Sequence, residues 1–191
     1  MAKSGIAGCF VAVVGPSGAG KDTILDGARL ALGGDRRFHF VRRVITRPPK
    51  PDAENHDSLD EAGFLKALDA GAFALHWQAH GLYYGLPASV FDAIAAGKVV
   101  VANVSRRVLE NIRQTFPRHS IVMITARPEI LAERLIARGR ETAEQITERL
   151  SREATFDAAK EADVFRIDNS GSAQSSIALF VDHLQKLSEK T

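Results

Sequence analysis

A glycine-rich segment near the amino terminus has the residue types and spacing of a phosphate-binding loop. It contains Gly15, Pro16, Ser17, Gly18, Ala19, Gly20, Lys21, Asp22 and Thr23. Glycines in such a loop let backbone N–H groups turn towards a phosphate, and a helix that begins there adds a favourable partial charge. We expect Lys21 to contact the β- and γ-phosphates of a nucleoside triphosphate as a catalytic residue. The alternative is a strand-to-helix turn without a ligand.

Two positions depart from the usual pattern of such a loop. Asp22 stands where a Ser or Thr hydroxyl normally binds Mg²⁺, and a carboxylate is also a good ligand for this cation. Thr23 supplies the hydroxyl instead if the register of the loop shifts. Asn103 ends an apolar run at a place where many nucleotide-binding proteins have an Asp. We hypothesise that the carboxylate of the metal site has moved from the strand end to the loop; alternatively, Asn103 only hydrogen-bonds loop backbone.

The segment 36–50 contains cations and no acidic residue. Its cations are Arg36, Arg37, Arg42, Arg43, Arg47 and Lys50. A run of like charge is usually a solvated surface. Here prolines next to the later cations stiffen the chain, and guanidinium groups match the geometry of phosphate. We therefore favour an anion-binding site in this segment.

A second set of arginines lies further along the chain, at Arg134, Arg138, Arg140, Arg149 and Arg152. Arg134 and Arg138 are four residues apart and share one helical face, and Arg149 and Arg152 are three apart on the next predicted helix. Cations on two facing helices form a hinged cover that excludes water and stabilises charge on a transferring phosphoryl group. The alternative for each arginine is pairing with a neighbouring glutamate.

Apolar and amphipathic runs alternate along the chain, which is typical of βα units around a parallel sheet. The apolar runs predict strands at residues 9–14, 38–46, 99–104, 121–125 and 164–168. Helices are predicted from Lys21 to the glycines at 33–34, at 60–70, 87–97, 105–116, 128–138 and 142–161, and at the carboxyl terminus. The prediction is a single three-layer α/β domain, residues 1–191, with an irregular segment between about residues 36 and 90.

The composition excludes several classes of protein. The chain has 191 residues, of which 45% are apolar, and a formal charge of +2. These values exclude disordered and collagen-like chains, and the charge is too balanced to favour nucleic-acid binding. The single cysteine, Cys9, indicates a reducing compartment. The apolar run at 6–14 is too short to cross a membrane, so we expect a cytoplasmic protein without a membrane partner.

The order of motifs resembles the guanylate-kinase branch of the nucleoside monophosphate kinases. The matching segments include Gly15–Lys21, Thr46-Arg47, Gly71-Ala72-Phe73, Tyr84-Gly85, Arg138-Gly139 and Asn169. The resemblance implies a P-loop kinase fold with a five-stranded parallel sheet, an acceptor-binding region at 36–90 and a lid at about 134–152. It implies that ATP is bound by the loop, Arg134 and Asn169, and that Arg138 and Arg149 are catalytic residues of the lid. It also implies that the acceptor is bound by Arg43, Arg47, Lys50, His56, Tyr84 and Asn103.

Leu75 and Leu86 stand where guanylate kinases read guanine with a Glu and a hydroxyl. A guanine edge against two leucines would leave buried polar groups unpaired, at a cost of about 1–3 kcal/mol each. The whole pattern resembles the ribose 1,5-bisphosphate phosphokinase family, which implies transfer of the γ-phosphoryl group of ATP, with Mg²⁺, to ribose 1,5-bisphosphate in phosphonate use. The alternatives are a nucleoside monophosphate kinase with altered base preference and a non-catalytic binding module. The sequence leaves open whether the chain forms a homodimer.

Overall fold

A computed structural model describes residues 8–48, 56–137, 139 and 164–191. The strands in these ranges are β1 (Cys9–Val14), β2 (Phe38–Phe40), β3 (Val44–Ile45), β4 (Asp57–Ser58), β5 (Phe73–Ala79), β6 (Leu82–Pro87), β7 (Val99–Asn103), β8 (His119–Thr125) and β9 (Val164–Asp168). The helices are α1 (Lys21–Ala31), α2 (Glu61–Asp69), α3 (Ser89–Ala95), α4 (Leu109–Thr115), α5 (Pro128–Ala137) and α6 (Ala173–Ser188), with a 3-10 turn at Arg106–Val108.

The main sheet has five strands in the order β2-β7-β1-β8-β9, and all of its neighbouring pairs are parallel. Every residue of the central strand β1 is buried, as expected for a parallel strand that is covered on both faces. This arrangement confirms the predicted five-stranded parallel sheet.

Alternate residues of β1 contribute to two apolar cores. Val11 and Val13 pack with residues of α1 and α6 on one face. Phe10, Ala12 and Val14 pack on the other face with residues of α3, α4 and the second sheet. The predicted three-layer architecture is therefore confirmed. None of the helices in the described ranges is long and apolar enough to span a membrane.

A second sheet, in the order β4-β3-β6-β5, lies within residues 36–90. Strands β5 and β6 are antiparallel and are joined at His80 and Gly81, both of which have positive φ values (52° and 71°). This backbone is typical of a two-residue hairpin loop. The prediction of an irregular segment was wrong here, because burial of Leu75 and Trp77 alternates with exposure of His76 in the manner of a strand.

Two predicted boundaries also differ from the structure. The predicted strand at 38–46 is divided between the two sheets, since β2 pairs with β7 and β3 pairs with β6. The charged residues Arg42 and Arg43 lie where the chain passes from one sheet to the other. Pro87 ends β6 instead of beginning a helix, and α3 begins at Ser89. The helix predicted at 142–161 lies outside the described residues.

Candidate active site

The site lies at the edge of the main sheet where its parallel strands end. Ligands of open α/β sheets bind outside the carboxyl ends of the strands. At this edge the glycine-rich loop follows β1, Asn103 ends β7, and Asn169 follows β9. The backbone N–H of Asn169 donates to the carbonyl oxygen of Thr125 at the end of β8, over 2.7 Å. The topology thus brings together four chain segments that are far apart in sequence.

The conformation of the glycine-rich loop requires its glycines. Gly15, Gly18 and Gly20 have φ values of 149°, 84° and 87°, which other residues rarely adopt. A Cβ atom on Gly15 would collide with the carbonyl oxygen of Ile124, and one on Gly20 would collide with the side-chain amide of Asn169. Gly20 is also the N-cap of α1, so the loop leads directly into the helix.

Lys21 is the first residue of α1, and its side chain folds back over the loop. Its Nζ donates hydrogen bonds to the carbonyl oxygens of Gly15 and Pro16, both over 2.9 Å. The ammonium group is therefore held beside the loop, where a phosphate would meet both the backbone N–H groups and this charge.

Asn169 and Arg134 connect the phosphate-binding loop to the last strand. Asn169 is 2% exposed, and its Nδ2 donates to the carbonyl oxygen of Ala19 over 2.8 Å. The guanidinium group of Arg134 donates to the carbonyl oxygens of Gly18 (3.3 Å) and Asn169 (2.9 Å). The structure therefore brings both predicted nucleotide-binding residues into contact with the loop.

The turn after β9 is held by Asp168 and Ser170. The backbone N–H and the hydroxyl group of Ser170 both donate to Oδ1 of Asp168. These hydrogen bonds lower the pKa of the exposed Asp168 carboxyl group, and the bond from the Ser170 hydroxyl contributes most to this shift. The turn fixes the backbone on either side of Asn169.

Asp22 and Asn103 are in direct contact. Asn103 is 8% exposed, and its Nδ2 donates to Oδ1 of Asp22 over 3.0 Å. The side-chain amide of Asn103 thus bonds a carboxylate, in contrast to the alternative of a bond to loop backbone. Asp22 lies in the first turn of α1, where the helix dipole favours a negative charge, and Thr23 beside it is exposed.

Asp22 and Asn103 line one pocket together with Arg43. Arg43 is 8% exposed, and its guanidinium carbon lies 5.5 Å from the centre of the Tyr84 ring. Tyr84 stacks in turn on Trp77, with ring centres 5.3 Å apart and planes 4° apart. The predicted acceptor residues Arg43 and Asn103 therefore lie close to Asp22 of the phosphate-binding loop. The predicted acceptor residue Tyr84 lies beside Arg43, and the aromatic pair supports the guanidinium group.

The other predicted acceptor residues lie around the second sheet. Arg47 follows β3 and is partly exposed, and His56 is buried just before β4. Lys50 and the lid residues Arg138, Arg140, Arg149 and Arg152 lie outside the described residues.

Leu75 and Leu86 face each other across the β5–β6 pair. They are 6% and 0% exposed and belong to the apolar core between the two sheets. Neither side chain offers a hydrogen bond to the edge of a base.

Arg29 and Phe40 also line this pocket, and neither was predicted from the sequence to be a site residue. The Arg29 guanidinium carbon lies 5.5 Å from the centre of the Phe40 ring. Arg29 is seven residues after Asp22 on α1, and this spacing puts both on one helical face. This spacing could have predicted that Arg29 lies near Asp22, whereas no sequence pattern placed Phe40 at the site.

The fold and its phosphate-binding loop define a P-loop kinase of the guanylate kinase class. The guanylate kinase family model matches residues 9–174. The crystal structure of guanylate kinase from Anaplasma phagocytophilum has a TM-score of 0.65 with this chain and covers 94% of it, with 86% of that protein's chain matched. The sequence identity is 16%, so this likeness shows the fold alone.

Two curated relatives identify the family within this class of kinases. One, from Brucella melitensis biotype 2 (strain ATCC 23457), is named ribose 1,5-bisphosphate phosphokinase PhnN; it is 60% identical over 96% of this chain and 95% of its own. Another of the same name, from Methylobacterium radiotolerans, is 51% identical over 93% of this chain and 98% of its own. The chain belongs to the ribose 1,5-bisphosphate phosphokinase family, which confirms the resemblance found in the sequence.

Proposed function

We propose that the chain transfers the γ-phosphoryl group of ATP to the C1 phosphate of ribose 1,5-bisphosphate. The products are ADP and 5-phosphoribosyl 1-diphosphate, and the reaction belongs to phosphonate catabolism. The observation that carries the proposal is 60% identity, over 96% of the chain, to a relative named for this phosphokinase activity. The chain is thus a phosphotransferase, and its substrates are small molecules.

ATP binds at the phosphate-binding loop in this proposal. Backbone N–H groups of residues 17–20 surround the phosphates, and the Lys21 ammonium group contacts the β- and γ-phosphates. Arg134 and Asn169 hold the loop in shape from the side of β9. Arg138 and Arg149 act from the lid, about residues 134–152, on the transferring phosphoryl group.

Ribose 1,5-bisphosphate binds in the pocket beside the loop. Arg43 supplies a buried cation there, and Asn103 supplies a neutral polar group. The remaining acceptor residues are Arg47, Lys50, His56 and Tyr84. The region at 36–90 is thus the acceptor-binding part of one kinase domain, and the apolar Leu75–Leu86 pair fits an acceptor without a base.

The chain's own residues act by orientation and charge. Arg43 and Arg47 hold the acceptor phosphate in line with the γ-phosphoryl group, and Lys21 stabilises the charge that spreads over its oxygens. The attacking oxygen belongs to a phosphate and is already an anion. The reaction therefore needs no general base.

Mg²⁺ is the expected cofactor, since kinases of this family use ATP with this ion. Asp22 and Thr23 are the residues that would hold it. Their carboxylate and hydroxyl oxygens suit a hard cation, and they lie at the start of α1 beside Lys21. Held by these residues, Mg²⁺ would neutralise charge on the phosphates of ATP.

Identification of the product tests this proposal. The purified chain with Mg²⁺ and ATP is incubated with ribose 1,5-bisphosphate and followed by ³¹P NMR. We expect ADP and a sugar with a diphosphate at C1 to form in equal amounts. Ribose 5-phosphate, which lacks the C1 phosphate, is the matched control and should give no product. Absence of the diphosphate, or equal turnover of the control, would contradict the proposal.

A further inference from the structure

The contact between Asp22 and Asn103 leads to an inference that rests on the proposed function. We propose that Asn103 positions the Asp22 carboxylate for the Mg²⁺ of Mg²⁺–ATP. In this arrangement the carboxylate and the neutral residue of the usual P-loop metal site have exchanged places. Asn103 is then a positioning residue, and Asp22 is the group that meets the ion.

In P-loop nucleotide-binding proteins the metal is held by a hydroxyl directly after the loop lysine and by an Asp on a neighbouring strand. Here the residue after Lys21 is the carboxylate Asp22, and the neighbouring strand β7 ends in the neutral Asn103. Asn103 is in register with Val13 of β1, so it lies beside the strand from which the loop departs. The site keeps one carboxylate and one neutral group, with their positions exchanged.

The hydrogen bond between Asn103 and Asp22 orients the carboxylate. Asn103 donates from Nδ2 to Oδ1 of Asp22 over 3.0 Å, which fixes the direction of the carboxylate. Within the described residues Oδ2 of Asp22 receives no hydrogen bond, so this second oxygen is available to a cation. Partners that orient a metal ligand in this way usually contribute strongly to metal affinity.

The surroundings explain why the charge lies on the loop. Asn103 is 8% exposed, and an ionised carboxylate buried there would lose much of its hydration. It would also face the pocket that contains Arg43, where it would compete with the acceptor phosphates for this cation. At position 22 the carboxylate lies in the first turn of an 11-residue helix, whose dipole stabilises a negative charge.

Metal binding can be measured without acceptor or turnover. Mn²⁺ is titrated into the chain with bound ADP, and bound Mn²⁺ is followed by electron paramagnetic resonance. Asn103→Ala should weaken Mn²⁺ binding about 10-fold or more, and Asp22→Ser should weaken it at least as much. The affinity for ADP without metal should stay within a few-fold of that of the unchanged chain. Asp92→Ser, which removes an exposed carboxylate from the first turn of α3, is the control and should leave the Mn²⁺ affinity unchanged.

The decisive variant restores the usual P-loop arrangement, with a hydroxyl after the loop lysine and an Asp at the end of β7. In the Asp22→Ser chain, the additional change Asn103→Asp should recover most of the lost Mn²⁺ affinity, whereas Asn103→Ala should not. Circular dichroism of each variant verifies that it is folded. Unchanged Mn²⁺ binding by Asn103→Ala, or failure of a folded Asp22→Ser/Asn103→Asp chain to recover, would overturn the inference. Because this titration contains no acceptor, its outcome is independent of whether ribose 1,5-bisphosphate is the substrate.

Discussion

The side chain of Asn169 donates a hydrogen bond to the carbonyl oxygen of Ala19, 150 residues earlier in the chain. The bond joins the turn after the last strand to the phosphate-binding loop. Arg134 contacts both parts, through the carbonyl oxygens of Gly18 and Asn169. The shape of the loop therefore depends on residues from both halves of the chain.

Asn169→Ala tests this dependence. The change leaves the buried carbonyl oxygen of Ala19 without its donor, so the free energy of unfolding should fall by about 1–3 kcal/mol. The KM for ATP should rise several-fold because the loop is held less firmly, while the KM for the acceptor should change little. Urea denaturation and initial-rate kinetics measure these effects. The exposed Asn111→Ala is the matched control, and equal behaviour of the two variants would show that Asn169 does not support the loop.

Lys21→Ala tests the proposed role of the lysine. Its ammonium group lies against the carbonyl oxygens of Gly15 and Pro16, where it would stabilise charge on the transferring group. We expect kcat to fall by about 10²- to 10³-fold, with a near-unchanged melting temperature. The exposed Lys66→Ala is the control for loss of a positive charge. Activity of the Lys21→Ala chain within a few-fold of the unchanged chain would exclude the kinase mechanism.

The main sheet could be predicted from the sequence because its central strands β7, β1 and β8 are largely buried on both faces. Continuous apolar runs such as Cys9–Val14 are typical of strands whose side chains are covered on each side, and they are easy to recognise. The second sheet was missed because its strands are short or only partly covered. β3 and β4 have two residues each, and the sequence of β5 mixes Leu75 and Trp77 with exposed polar residues.

The contacts of the site could be predicted only in part. The loop motif and the order of strands indicated that Lys21, Asp22 and Asn103 lie near each other, because parallel strands end at the same edge. Spacing along the chain carries no information on the bond between Asn169 and Ala19, which depends on the path of the turn after β9. The stacking of Trp77 on Tyr84 beneath Arg43 likewise depends on a hairpin that the sequence analysis did not predict.

Arg43→Ser tests the acceptor pocket. The change removes a buried cation that lies near Asp22 and Asn103, and it restores the residue type of guanylate kinases at this position. We expect kcat/KM for ribose 1,5-bisphosphate to fall by about 10- to 100-fold, because a hydrogen bond to a charged group is lost. The KM for ATP should remain within a few-fold, which initial rates at varied ATP would measure. The exposed Arg107→Ser is the control, and equal losses in the two variants would remove Arg43 from the acceptor site.

The stability of the fold should depend on pH through His183. Its imidazole stacks on Phe165 and its Nε2 lies 2.9 Å from the hydroxyl of Ser120, while burial lowers its pKa from the ordinary value. A lowered pKa in the folded state means that the unfolded chain binds the proton more readily. The free energy of unfolding should therefore be highest above about pH 6.5 and should fall as the pH decreases below it.

Urea denaturation at a series of pH values measures this effect. His183→Gln should show a weaker dependence on pH between about pH 7.5 and 5.5 than the unchanged chain. The exposed His76→Gln is the control and should retain the original dependence. If His183→Gln also retains it, His183 does not provide the pH-dependent contribution.

The choice of acceptor is the central claim, and the ratio of two kcat/KM values tests it most directly. Purified chain with Mg²⁺ and ATP is assayed with ribose 1,5-bisphosphate and, separately, with GMP. Leu75 and Leu86 stand where guanylate kinases bind guanine, and neither side chain can form a hydrogen bond with it. If two polar groups of guanine are left unpaired as a result, the ratio should be about 100 or more in favour of the sugar bisphosphate. Comparable values for the two acceptors would contradict the account and would favour a nucleoside monophosphate kinase.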